Sequence, residues 1–322
     1  MTRAARNSMF LFLTALAWAP SALANPMDIT LSRFVTQECG DGTATSPYCG
    51  DVADHEAFRD LSRELGFAMA PFVLSPPETL GYSGFHFGLA GQITIINKDE
   101  DYWINGTEEK KPHGALFLSA IQVRKGLPAG FELGTTLGYM ASTEQVALGL
   151  DVKFSPFEGF RRGAGGAFPD MALRAGVNQL IGEDELNITT VGLDASLSYP
   201  ITILQQATLT PYVAYQYMWI IIDAEVVDGT PDRNFTAECG EPLMNDCSHG
   251  DGTYGDVTDS NNMIDFGRQI VNTSRLIFGL RFIYEYLAFT AQYSFGVPHQ
   301  KIEFDNDEPV VHQIAFGIGA DF

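Results

Sequence analysis

From Gln313 to Phe322 the chain alternates without a break. Gln313, Ala315, Gly317, Gly319 and Asp321 fall on one set of alternate positions, and Ile314, Phe316, Ile318, Ala320 and Phe322 on the other. A period of two is the mark of a β-strand with one apolar face and one small or polar face. The same alternation returns upstream. It predicts strands near 85–95, 114–125, 131–142, 145–154, 170–178, 190–199, 208–221, 275–285 and 289–297. The fourth is the clearest, with Val146, Leu148, Leu150, Val152 and Phe154 opposite Gln145, Gly149, Asp151 and Lys153. The second is the weakest, because both of its faces are fairly apolar.

The start of the chain reads differently. Arg3 and Arg6 precede an apolar run from Met9 to Ala19, and Ala22-Leu23-Ala24 is a small-x-small cleavage site. Residues 1–24 are therefore expected to be a secretory signal peptide. Its apolar core is shorter than the ~20 residues a helix needs to span a bilayer. No later stretch fits a transmembrane helix either. An exported chain that is 45% hydrophobic with 32 glycines is then a soluble β-sandwich or a membrane barrel. Only helices and closed barrels satisfy every backbone group in lipid.

Residues 25–79 precede the strands. Ala57, Phe58, Leu61, Leu65 and Ala68 recur at helical spacing, and Pro71, Pro76 and Pro77 stop the pattern. This segment is expected to be a lumenal plug or a periplasmic lid. Four cysteines fall as two close pairs, and in an exported chain local disulfides are expected, Cys39 with Cys49 and Cys239 with Cys247. Their spacing matches no zinc motif, and no metal or cofactor is expected.

Closing on an apolar-face Phe322, the last strand resembles that of Gram-negative outer-membrane β-barrel proteins, whose assembly machinery recognises a C-terminal Phe. The resemblance implies an all-β, membrane-spanning, antiparallel up-and-down barrel over residues 80–322, of about ten strands with twelve possible. It implies outer-membrane lipid, lipopolysaccharide and the barrel assembly machinery as partners. Both termini would face the periplasm, and the connections would alternate between short inner turns and longer outer loops, the longest spanning 224–273. Tyr102, Trp103, Tyr139, Tyr199, Tyr217, Trp219, Tyr284 and Tyr293 would form the aromatic belts.

The polar faces then line a lumen, with His86, Glu132, Asp151, Lys153, Arg174, Asp194, Arg275, Arg281 and Glu285 as its charged or titratable residues. Ten strands lie near the ~8 whose side chains fill the interior and far from the ~16 of an open porin. The preferred expectation is a narrow, gated route for a small solute, its selectivity set by Asp151, Lys153 and Arg174. The alternative is a non-conducting structural or surface-binding barrel working through acidic outer loops. Without Arg3 and Arg6 the chain has 17 basic against 40 acidic residues, a balance of −23, which speaks against nucleic acid as a partner. Ten strands also resemble the omptin surface proteases. His113, His249 and His299 match none of their motifs, and His312 has no neighbouring serine for an outer-membrane hydrolase. No catalytic residue is expected.

Overall fold

In the computed structural model, residues 27–39, 49–108, 110–141, 143, 145–156, 169–181, 186–203, 206–224, 226–228, 263–297 and 310–322 are described. A hairpin of β1 (Val35–Cys39) and β2 (Cys49–Ala53) leads into helix α1 (His55–Ala68). Then come β3 (Phe85–Ile95), the short helix α2 (Asp101–Asn105), β4 (Ala115–Gly126), β5 (Phe131–Met140), β6 (Val146–Phe154), β7 (Asp170–Ile181) and β8 (Leu186–Ser198). The remainder is β9 (Ile201–Ile203), β10 (Ala207–Ala224), β11 (Val227–Asp228), β12 (Met263–Ile264), β13 (Arg268–Tyr284), β14 (Leu287–Val297) and β15 (His312–Asp321).

Ten of these strands close into a barrel. Neighbours run β13-β14-β15-β3-β4-β5-β6-β7-β8-β10, and β10 pairs back onto β13. Every barrel pairing is antiparallel, including β15 on β3, where His312 faces Ile95 and Asp321 faces His86. The three-residue β9 adds to β10 at one rim. All ten expected strands are present. The seventh and eighth are longer than expected: β10 and β13 stay in register from Ala207↔Tyr284 to Asp223↔Arg268, so the strands take up part of the 224–273 loop. Most of what remains of that loop lies outside the described residues, as do Cys239 and Cys247. Cys39 and Cys49 are Cα partners across the first hairpin.

The pleat sorts the side chains. Along β7 exposed and buried residues alternate over all twelve positions. The outward residues are apolar all round the barrel: Leu89, Leu137, Leu150, Leu173, Leu193, Phe278, Phe289 and Phe316 are each at least two-fifths exposed. In water such a continuous band would drive aggregation. Against lipid it is what a spanning strand requires.

One rim carries the β4–β5 and β13–β14 turns together with the longer β6–β7 connection. There Phe85 and Phe322 exchange main-chain hydrogen bonds, and Ser155 N–H donates to the Gly130 carbonyl. Glu285, expected in the lumen, lies instead in the tight turn between β13 and β14, exposed and with φ 54°. A two-residue turn leaves its side chain outside the wall.

The N-terminal residues lie at the opposite rim. Ile29 bridges to Thr107 in the β3–β4 connection, Arg33 Nη1 donates to the Thr107 carbonyl at 2.6 Å, and His113 N–H meets Met27 Sδ at 3.1 Å. Residue 27 and Phe322 therefore sit at opposite ends of the barrel. The barrel's own ends, Phe85 and Phe322, share one rim as an even strand number requires; the segment ahead of β3 starts at the other. The reason is that the chain between α1 and β3 crosses the full depth of the lumen.

Helix α1 is capped by Asp54, whose Oδ1 accepts from Glu56 and Ala57 N–H at 3.2 and 3.0 Å. Its apolar face, Phe58, Leu61 and Leu65, is buried in one cluster with Met27, Leu31, Phe34, Trp103 and Phe266. Inward residues from the outer ends of the barrel strands complete that cluster: Leu116, Leu118, Met140, Leu180, Ile188, Ile220 and Ile222. The helix lies so close to β10 that a Cβ on Gly66 would overlap the Ile220 side chain.

Candidate functional site: a lumen threaded by its own chain

Residues 69–80 form an extended strap from the end of α1 to the inner rim, and the pleat aims polar side chains at it from the wall. Their bonds to the main chain, first of the last turn of α1 and then of the strap, descend in order. At the top, Thr190 Oγ1 donates to Gly66 O at 3.4 Å, Gln313 Nε2 to Phe67 O at 3.3 Å, and Gln92 Nε2 to Ala68 O at 2.5 Å. Below them Asn178 Nδ2 reaches Met69 O at 2.8 Å. Arg275 Nη2 and Gln216 Nε2 share Pro71 O at 2.8 and 3.5 Å. Arg174 spans Phe72 O at 2.9 Å and Ser75 O at 3.0 Å. Lys153 Nζ holds Pro76 O at 3.0 Å and Glu78 O at 2.7 Å, and Ser155 Oγ donates to Pro77 O.

The inner third of the lumen is ionic. Arg124 Nε lies 2.6 Å from Glu132 Oε1 and its Nη2 2.5 Å from Asp151 Oδ2. Lys153 Nζ is 3.1 Å from the same Glu132 oxygen, whose other oxygen accepts from Leu80 N–H at 3.1 Å. Beside this group Arg281 pairs with Asp321 at 2.7 Å, and Asp321 meets His86 Nδ1 at 2.6 Å. A cavity of about 50 Å³ between the two groups has room on the scale of a water or two. Burying an unpaired charge costs several kcal/mol, and here each acid has a cation. Arg275 differs. Among the described residues no carboxylate lies within ion-pair distance of it; its donors go to Pro71 O, Gln216 Oε1 at 2.7 Å and Gln313 Oε1 at 2.5 Å.

At the outer mouth Glu64 is the one buried acid of α1, only 2% exposed. Trp103 Nε1 and Tyr102 OH donate to it at 2.7 and 2.8 Å. Burial pushes its carboxyl above the ordinary carboxylate range, against the opposing pull of those donors and of Arg63. The Tyr102 hydroxyl is pushed up in turn, by its own burial first and by Glu64 second.

Of the expected lumen residues, His86, Glu132, Asp151, Lys153, Arg174, Asp194, Arg275 and Arg281 all point inward and are buried. Asp321 holds the His86 imidazole. Arg124 and Asp321 were missed, although both share an alternate-position set with polar lumen residues: Arg124 with Gln122, Asp321 with Gln313. Trp103 and Tyr102 are corrected. They do not belong to an interfacial belt but turn inward onto Glu64, Trp103 fully buried. Tyr139, Tyr199, Tyr284 and Tyr293 do face outward near strand ends.

No protein-family model matches the chain, and no curated protein does. Solved structures do. The N-terminal β-barrel domain of OprF from Pseudomonas aeruginosa matches at 12% identity and TM-score 0.30, over 75% of this chain and 99% of that one. The Ail attachment invasion locus protein of Yersinia pestis matches at 6% and 0.29, over 75% and 99%. The translocator domain of the autotransporter NalP from Neisseria meningitidis matches at 12% and 0.32, over 75% and 89%. Scores this low leave the assignment to the barrel itself: ten antiparallel strands, closed, with an apolar outside and a polar inside. The protein is an outer-membrane β-barrel. The mouth that holds α1 is the one with the two longest connections, β3–β4 and β10–β13, the kind such barrels carry on the outside, and it is called the outer mouth.

Proposed function

We propose that this barrel is closed and works at its outer face, where α1 fills the outer third of the lumen and the first hairpin and the β3–β4 connection pack at the mouth. The observation that carries the reading is the strap. A solute would have to displace bonds worth about 0.5–3 kcal/mol each, the higher values belonging to the charged donors. The narrow-conduit reading draws no support from Asp151, Lys153 and Arg174, because all three are committed, Asp151 to Arg124 and the two cations to the strap. A disulfide between Cys39 and Cys49 fits their register, since directly opposed antiparallel partners lie ~4.5–5.5 Å apart at Cα, within disulfide reach. It would brace the displayed hairpin.

Planar-bilayer recording of the full-length protein tests the proposal. Silence in concentrated potassium chloride is expected. Stepwise openings with the strap seated would overturn it.

A further inference from the structure

Along most of the strap the lumen wall meets its occupant as donor, the exception being Glu132, which accepts from Leu80 N–H at the inner end. Gln92, Asn178, Arg174, Arg275 and Lys153, from four different strands and each less than a tenth exposed, all donate. What they meet is main-chain carbonyl oxygen, from Ala68 O to Glu78 O. A carbonyl is present at every residue whatever its side chain, so these bonds read the course of a chain more than its sequence; the side-chain oxygen they also reach is Ser75 Oγ, from Lys153 at 3.2 Å and Arg174 at 3.4 Å. The strap complements the wall by carrying fewer donors than an ordinary segment: Pro71, Pro76 and Pro77 carry no N–H, and proline-containing segments leave their carbonyls free for such bonds. The clearest side-chain slot is the one at Val73, which packs against Tyr212, Ala214 and Ile277.

We propose that the lumen is a binding site for extended, proline-containing polypeptide as a chemical class. It recognises chiefly the main chain, and residues 69–80 are its resident ligand. Another strap with the same proline placement, apolar residues at the buried positions 72, 73 and 74 and a serine at 75 seats as well as the native one. The inference rests on the strap being the lumen's occupant, and its test separates the two.

The experiment is hydrogen–deuterium exchange of the strap amides in the full-length protein, with heat-modifiable gel migration confirming the barrel. A foreign strap over 69–80 that keeps Pro71, Pro76, Pro77 and Ser75, with apolar residues at 72, 73 and 74, is expected to exchange within about threefold of the native rate. R174M/R275M, which removes donors but keeps length, is expected to exchange about tenfold faster or more. R174K/R275K, which keeps a donor at each position, falls between them. A foreign strap without the prolines exposes N–H groups the wall cannot match and exchanges as fast as the methionine pair. If the foreign proline-bearing strap exchanges as fast as R174M/R275M, recognition is by side chains and the proposal fails. That comparison needs only one of the arginine variants to fold. Free-chain exchange of the native strap would instead overturn the occupancy on which the inference stands.

Discussion

The two ends of the lumen are filled by opposite means. In the outer third, Leu116, Leu118, Met140, Ile188, Ile220 and Ile222 point inward onto α1 and Trp103, a hydrophobic core like that of a water-soluble domain. In the inner third the same inward positions carry Arg124, Glu132, Asp151 and Lys153, and there the filling is ionic. The difference follows the occupant. A helix brings an apolar face and keeps its own main-chain bonds, so apolar neighbours suit it. An extended strap with unmet carbonyls needs donors from the wall, and donors brought into a barrel need acids beside them.

The contrast can be broken from either end. The largest effect is expected at the ionic end, where Glu132→Ala leaves Lys153 without a carboxylate partner and Arg124 with Asp151 alone. The loss is put at about 3–5 kcal/mol, read as the fall in the urea midpoint of the heat-modifiable form. Replacing the Glu132 and Lys153 pair together by methionines should recover a large part of it, because the cost lies in the orphaned charge. At the apolar end Leu65→Ala removes a fully buried side chain of α1. It should cost about 2–5 kcal/mol and loosen the outer unit, while the inner ion pairs keep the barrel heat-modifiable; limited proteolysis of residues 27–68 reads it.

The smallest effect sharpens the comparison through pH. Glu64 is the acid set into the apolar end, and its folded pKa is raised. The folded state therefore holds the Glu64 proton more tightly than the unfolded chain does. The stability this contributes is fully present below the unfolded value near 4.5 and is lost as pH rises through the raised folded value. Protease resistance of the outer unit should rise on acidification across that window, and Glu64→Gln should flatten the rise. A wild-type profile that falls on acidification would contradict this.

How legible each part was in the sequence follows the same division. Where lipid lies outside and donors inside, the period of two was plain, as in β6 and β15. β4 looked ambiguous because Leu116, Leu118 and Ala120 face the apolar outer filling, so both of its faces are apolar. The start of β13 falls within the expected 224–273 loop because Arg268, Gln269 and Asn272 are polar, yet they continue a ladder with β10. Most of the lumen charges could be named from their alternate positions. The strap's path could not. Its partners bind carbonyl oxygens, which leave no trace in side-chain pattern, and the inward turn of Trp103 depends on Glu64, thirty-nine residues away.

The passage of the strap through the lumen is most directly tested by a cross-link. A Cβ built on Gly176 of β7 would lie 3.1 Å from the Pro71 Cβ, a few tenths of an ångström inside the ~3.5–4.5 Å of a disulfide. In the folded, heat-modifiable barrel, P71C/G176C is expected to oxidise to a disulfide that joins a strap peptide to a β7 peptide in a non-reducing digest. Two thiols that stay free and react with maleimide, in a barrel otherwise intact, would contradict the threaded lumen.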